Sequence, residues 1–106
     1  MSQDDASKTK AQDRPSGWTF LTNHAHVLLC LAKDPEVRLR DVAVSVGVTE
    51  RAVQRIVHDL HEGGYIEIIK EGRRNRYTVH RQRHLRHPIE CHRRVQSLVE
   101  LVEGQD

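Results

Sequence analysis

The side chains best suited to chemistry in this sequence of 106 residues are basic, and they are concentrated in its middle. Between residues 51 and 94, eleven lysines and arginines stand against five acidic residues, although the whole chain has a formal net charge of only +2. A local excess of positive charge is the electrostatic footprint expected of a protein that binds nucleic acid. Charge alone fits a hydrated surface equally well, so the elements that carry these residues must separate the two interpretations.

The stretch "VSVGVTERAVQRIV", residues 44–57, carries the first two of these arginines. Gly47 interrupts its helical rhythm, because glycine readily adopts the left-handed backbone conformation that ends helices. Thr49 then offers a hydroxyl that can accept a backbone N–H bond as the N-cap of a second helix, and Glu50 complements that helix's dipole. The pattern predicts two helices that meet at an angle.

The second of these helices, predicted over residues 50–62, has two opposite faces. Its apolar side comprises Ala52, Val53, Ile56, Val57 and Leu60. Its polar side comprises Arg51, Gln54, Arg55, His58 and Glu62. Each buried aliphatic side chain contributes roughly 1.5–3 kcal/mol, so the apolar side sets the orientation of the helix. The polar side must then face solvent or a ligand.

Three further elements are predicted before this helix. "NHAHVLLCLA", residues 23–32, has a wide apolar arc, is capped by Thr22 and must end before Pro35. Residues 37–39 are long enough only for a short strand. Residues 39–46 repeat apolar side chains at helical spacing and lead into the glycine turn.

A β-hairpin is predicted after the helix. Residues 65–70 and 76–80 alternate and are rich in β-branched and aromatic side chains, and "EGRRN" between them has the Gly and Asn typical of a hairpin loop. Three arginines lie at or beside its tip: Arg73, Arg74 and Arg76.

A last helix is predicted within "HPIECHRRVQSLVELVEG", with Pro88 in its first turn. One stripe of this helix carries Cys91, Val95, Leu98 and Val102. A domain of this size cannot cover that stripe unless the helix folds back on the first helix or meets a second subunit.

The order of helix, short strand, helix, glycine turn, helix and basic hairpin is that of a winged helix-turn-helix. The segment from Leu39 to Val79 resembles the MarR- and ArsR-type bacterial transcriptional regulators, and the resemblance extends over about residues 18–80. The matching positions are Leu39, Val42, Ala43, Val46, Gly47, Val48, Thr49, Val53, Ile56 and Leu60. Arg38 departs from the pattern, since Ser or Thr often caps the helix at that position.

The resemblance implies a fold that is mainly α with a small β-hairpin wing, followed by a C-terminal helix. We expect a disordered tail over residues 1–16, a DNA-binding domain over 17–83 and a C-terminal segment over 84–106. Proteins of this type usually dimerise through their terminal helices, so the C-terminal stripe is expected to form a homodimer that recognises two half-sites. Folding back within one chain remains the alternative.

In such proteins the second helix of the pair enters the DNA major groove. Carried over to this chain, the resemblance assigns base contacts to Arg51, Gln54 and Arg55, because arginine can donate two bonds to guanine and glutamine can pair with adenine. Backbone or minor-groove contacts are assigned to Thr49, His58, Arg73, Arg74 and Arg76. The alternatives are a hydrated helix face and an exposed, solubilising turn.

Other classes of protein find less support in the sequence. No catalytic constellation, closed set of metal ligands, signal peptide or transmembrane segment is recognisable. The two cysteines, Cys30 and Cys91, resemble reduced thiols of a cytoplasmic protein. We therefore expect a cytoplasmic, non-enzymatic regulator without cofactor or bound metal, whose small-molecule effector is unknown. A protein–protein interaction module and a metal- or redox-responsive switch around Cys91 remain open alternatives.

Overall fold

The computed structural model describes residues 17–104, which form four helices and one two-stranded antiparallel hairpin. In chain order the elements are α1 (Asn23–Lys33), α2 (Leu39–Val46), α3 (Glu50–Glu62), β1 (Ile66–Glu71), β2 (Arg74–Val79) and α4 (Val95–Glu103). The predicted fold class, mainly α with a small hairpin and a C-terminal helix, is confirmed. The tail predicted over residues 1–16 lies outside the described residues.

The boundaries of the first three helices follow from their caps. Thr22 Oγ1 accepts a hydrogen bond from the backbone N–H of Ala25 at 3.2 Å, and Thr49 Oγ1 accepts one from Ala52 at 3.0 Å. Gly47 ends α2 with a φ of 90°, in the left-handed region that glycine adopts without a steric penalty. The caps at Thr22 and Thr49 and the end of α2 at Gly47 were predicted from the sequence, and all three predictions are confirmed.

The core is aliphatic and lies between α1, α2 and α3. Val27, Leu31 and Val53 have no solvent exposure, and no polar or charged side chain of the described residues is buried. Tyr65, Ile66 and Tyr77 close the core from the hairpin side, and Val95 and Val99 of α4 belong to the same cluster. The core thus extends from the three helices to the C-terminal segment.

The short strand predicted over residues 37–39 is wrong. Residues 37 and 38 form a loop, and Leu39 already belongs to α2. A single backbone bond joins this connection to the hairpin, from the N–H of Tyr77 to the carbonyl of Pro35 at 2.9 Å. Because α2 already begins at Leu39, only residues 37 and 38 remain, too few to form a β-strand paired with the hairpin.

The hairpin loop is tighter than predicted. Strand pairing runs from Ile66 opposite Val79 to Glu71 opposite Arg74, which leaves only Gly72 and Arg73 in the turn. Gly72 has a φ of 64°, as two-residue hairpin turns require at their first position. The predicted five-residue loop is therefore wrong, because Glu71 and Arg74 are already paired as strand residues.

The last helix begins at Val95, so the prediction of a helix with Pro88 in its first turn is wrong. A loop precedes it, closed by a bridge between His84 and Arg94 and by a bond from the N–H of Leu85 to the carbonyl of Arg93. Cys91 lies in this loop, exposed, and not on the helical stripe predicted for it. A helix started at Pro88 would have only Cys91 and Ile89 to bury in its first two turns, too little apolar surface to offset its ordering.

Candidate nucleic-acid interface

The outward face of α3 carries the residues predicted to contact bases. Arg51, Gln54 and Arg55 are exposed, whereas the opposite face of the helix is buried through Val53, Ile56, Val57 and Leu60. Within residues 17–104, no hydrogen bond or ion pair engages the side chains of Arg51, Gln54 or Arg55. Their donors are therefore available to a ligand, and the buried side of α3 holds them outward.

Thr49 and His58 stand at the two ends of this face. The hydroxyl of Thr49 accepts the Ala52 N–H as the cap of α3, so its observed role is to begin the helix. His58 is exposed one turn beyond Gln54. Thr49 therefore precedes the arginine-bearing face, and His58 follows it one turn later.

A side-chain hydrogen bond attaches the later part of α3 to α1. His24 Nε2 donates to Asp59 Oδ2 at 2.8 Å, and both side chains are about half exposed. The hydrogen bond from His24 holds the pKa of Asp59 below its ordinary value, and the nearby positive charge of Arg55 acts in the same direction. The sequence carries no local signal for this pair, because its two members lie 35 residues apart.

The hairpin arginines differ in their surroundings. Arg76 Nη1 donates to Glu36 Oε2 at 2.9 Å, and Arg74 Nη2 donates to the backbone carbonyl of Glu36 at 3.4 Å. Arg73 occupies the exposed two-residue turn. The charge of Arg76 is therefore matched within the chain, while Arg73 and Arg74 leave the hairpin tip positive.

Two more arginines of the basic segment are structural. Arg83 Nη2 donates to the Gly63 carbonyl at 2.7 Å, and its guanidinium lies 5.0 Å from the centre of the Tyr65 ring. Arg81 donates to the Ala32 carbonyl at 3.4 Å. These hydrogen bonds attach the segment between β2 and α4 to α1 and to the end of α3. The positive surplus counted in the sequence therefore overstates the charge that is free to meet a ligand.

The residues predicted for a dimer interface differ in solvent exposure. Val95 is only 1% exposed and packs inside its own chain, so the prediction that it meets a second subunit is wrong. Leu98 is half-buried, while Val102 and Leu101 are 50% and 76% exposed. The beginning of α4 therefore folds back on the core, and its end leaves apolar side chains at the surface.

An apolar groove of about 820 Å³ is lined on one side by Val95 and Leu98 of α4. Its walls come from the start of α1, the end of α3, the loop before α4 and α4 itself, and they include Leu28, Leu60 and Leu98. Phe20, 91% exposed, stands at its edge with its ring packed edge-on against Trp18. The groove was not predicted, since its walls come from four separate segments.

Within the described range 17–104, no group of three or more histidine, cysteine or acidic side chains is placed to hold a metal ion. Over the same residues, no helix combines the length and apolarity needed to cross a membrane. Searches against models of known protein families and against curated proteins gave no match to this chain.

Proposed function

We propose that this protein binds double-stranded DNA in a sequence-specific manner and acts as a transcriptional regulator of the winged helix-turn-helix type, similar to MarR and ArsR regulators. The observation that carries the proposal is the outward face of α3, where Arg51, Gln54 and Arg55 are exposed and their side chains have no hydrogen-bond or ion-pair partner among the described residues. A helix of this diameter fits the major groove of B-form DNA. The glycine turn before α3 and the basic hairpin after it support the same assignment.

In the proposed complex, Arg51, Gln54 and Arg55 contact base edges. Arginine donates two parallel bonds to guanine O6 and N7, and glutamine pairs with adenine N6 and N7. Arg73 and Arg74 contact backbone phosphates or a minor groove, which attract guanidinium groups electrostatically. Arg76 holds the hairpin against Glu36 and so acts mainly on the position of the tip.

We propose that the regulator is a homodimer that uses the end of α4. Leu98, Leu101 and Val102 lie three and four residues apart, so they share one side of the helix. Leu101 and Val102 are exposed there, and Leu98 lines the apolar groove. A twofold pairing of this surface would present two α3 helices to two half-sites. A cytoplasmic location and a binding role without catalysis belong to the same proposal.

The decisive experiment is to select bound sequences from a random DNA pool and to measure dissociation constants on the selected duplex by fluorescence anisotropy. Replacing Arg51 or Gln54 with alanine is expected to cost about 1–3 kcal/mol of binding free energy and to relax base preference at one position of each half-site. Arg93→Ala is the matched control, since it removes an exposed arginine that lies outside α3 and the hairpin.

Two outcomes would contradict the proposal at different levels. Equal affinity of wild type and Arg51→Ala for the selected duplex would refute the assignment of base contacts. If the wild-type protein retains no duplex at low salt, DNA binding itself is wrong, and a protein–protein interaction module becomes the better hypothesis.

A further inference from the structure

A second cleft, of about 430 Å³, lies between the hairpin turn and the start of α2. Arg73 and Arg74 line it from the hairpin, and Arg38 lines it from the residue that precedes α2. The cleft also borders Glu50, the first residue of α3. Three arginines thus line a cleft beside the start of the helix proposed to contact bases.

The charges that line this cleft leave a positive surplus. Of its two acidic residues, Glu36 is paired with Arg76 at 2.9 Å. Glu50 is then the one acid left to balance Arg38, Arg73 and Arg74. The bond from Arg74 to the Glu36 backbone carbonyl neutralises no charge. The cleft is therefore suited to an anion.

The side chain of Arg38 has no contact among the described residues that explains an arginine at this position. Its side chain makes no capping bond to α2, and no hydrogen bond or ion pair within residues 17–104 engages it. It is exposed, so its guanidinium can turn toward the cleft without breaking a contact. This is also the position at which the sequence departs from the Ser or Thr cap of the family that it resembles.

We propose that this cleft binds one phosphodiester group of the DNA strand that passes from α3 to the hairpin, and that Arg38 is a further backbone-contacting residue. The inference rests on the proposed function. Guanidinium groups bind phosphate oxygens through paired, charge-assisted hydrogen bonds. Contacts of this kind set the register of a protein on its duplex and carry no sequence information. Arg38 therefore fixes where α3 enters the groove.

The test compares Arg38→Ala with Arg40→Ala on the selected duplex and on a scrambled duplex. Arg40 is also exposed and lies in the first turn of α2, but it does not line the cleft. Arg38→Ala is expected to weaken binding to both duplexes by a similar factor, roughly tenfold. It should also reduce the slope of log K against log salt by about 0.9, the value for one lost phosphate contact. Arg38→Lys should restore the slope and part of the affinity.

A scan with methylphosphonates, which neutralise one DNA phosphate at a time, identifies the anion. Neutralising one phosphate is expected to weaken binding of wild type and Arg40→Ala more than binding of Arg38→Ala, because the variant has already lost one of the arginine contacts to that phosphate. If Arg38→Ala matches Arg40→Ala in slope and in every methylphosphonate effect, the phosphate site is wrong, although base contacts by α3 stand. Failure of the wild-type protein to bind any duplex would instead refute the proposed function.

Discussion

Single side chains determine how α3 is held and what it presents. Thr49 begins the helix, and the pair between His24 and Asp59 attaches its second half to α1. Between these two points, the side chains of Arg51, Gln54 and Arg55 form no hydrogen bond or ion pair with residues 17–104. The chain therefore fixes the backbone of the helix while leaving its donors available, an arrangement that lowers the ordering cost of binding.

The Asp59 pair predicts a pH dependence of stability. Because the hydrogen bond from His24 lowers the pKa of Asp59 beneath its ordinary 3.8, the folded state favours the ionised carboxylate. The resulting stabilisation is present above that value and is lost as pH falls through the lowered pKa. Wild type should therefore exceed Asp59→Asn in melting temperature near neutral pH, and the difference should shrink on acidification below about pH 3.8.

Thermal unfolding followed by circular dichroism across that range measures the effect. Glu67→Gln is the control, since this exposed β1 carboxylate forms no hydrogen bond or ion pair with the described residues. The effect is expected to be small, because exposed ion pairs contribute little to stability. A difference between wild type and Asp59→Asn that stays constant down to the lowest pH would contradict the linkage.

At the scale of elements, the turn between α2 and α3 and the turn of the hairpin position the basic side chains. Gly47 adopts a φ of 90° and Gly72 one of 64°. The first angle sets the direction in which α3 leaves α2, and the second brings Arg73 to the tip. Both turns need backbone conformations that residues with a Cβ atom avoid.

Replacing Gly47 is therefore expected to destabilise the fold. Gly47→Ala should lower the free energy of unfolding by about 1–2 kcal/mol, the cost of a left-handed conformation for an ordinary residue. Gly47→Asn should cost less, since the asparagine side chain tolerates this region. Urea denaturation of the three proteins measures the difference. Equal losses for alanine and asparagine would show that steric fit, and not the backbone angle, makes this position sensitive.

At the scale of the whole molecule, the proposed DNA-binding surface and the main exposed apolar patch are formed by different residues. The basic surface comprises the exposed side of α3, the hairpin tip and the cleft at Arg38. The apolar surface comprises the groove and the end of α4, with Phe20 and Leu101 strongly exposed. Exposed apolar patches on small proteins commonly mark interaction sites. A dimer through α4 would cover much of this surface.

The dimer is tested by Leu101→Asp. Because Leu101 is 76% exposed, the change spares the core, but it would place charges in the proposed interface. Sedimentation equilibrium should show a dimer for wild type and a shift toward monomer for the variant. Ile89→Asp, at an exposed apolar position in the loop before α4, should remain dimeric. If both variants associate as wild type does, the interface lies elsewhere.

The sequence alone determined those features that depend on neighbours three or four residues apart. The caps at Thr22 and Thr49, the end of α2 at Gly47 and the bounds of α3 were all predicted and are confirmed. The division of α3 into a buried and an exposed face was equally legible, because burial follows helical periodicity. The local sequence pattern of α3 is therefore enough to predict that Arg51, Gln54 and Arg55 point outward.

Only the tertiary structure decided which of the other arginines are paired within the chain and which of the other apolar side chains are buried. Arg76 is paired with a carboxylate 40 residues away, Arg83 is bonded to Gly63, and Val95 is buried by its own chain. The start of α4 was misplaced for the same reason, since contacts of His84 with the end of the loop replace a helical turn. Such pairings form between segments distant in sequence, and local periodicity carries no information about which partner lies across the fold.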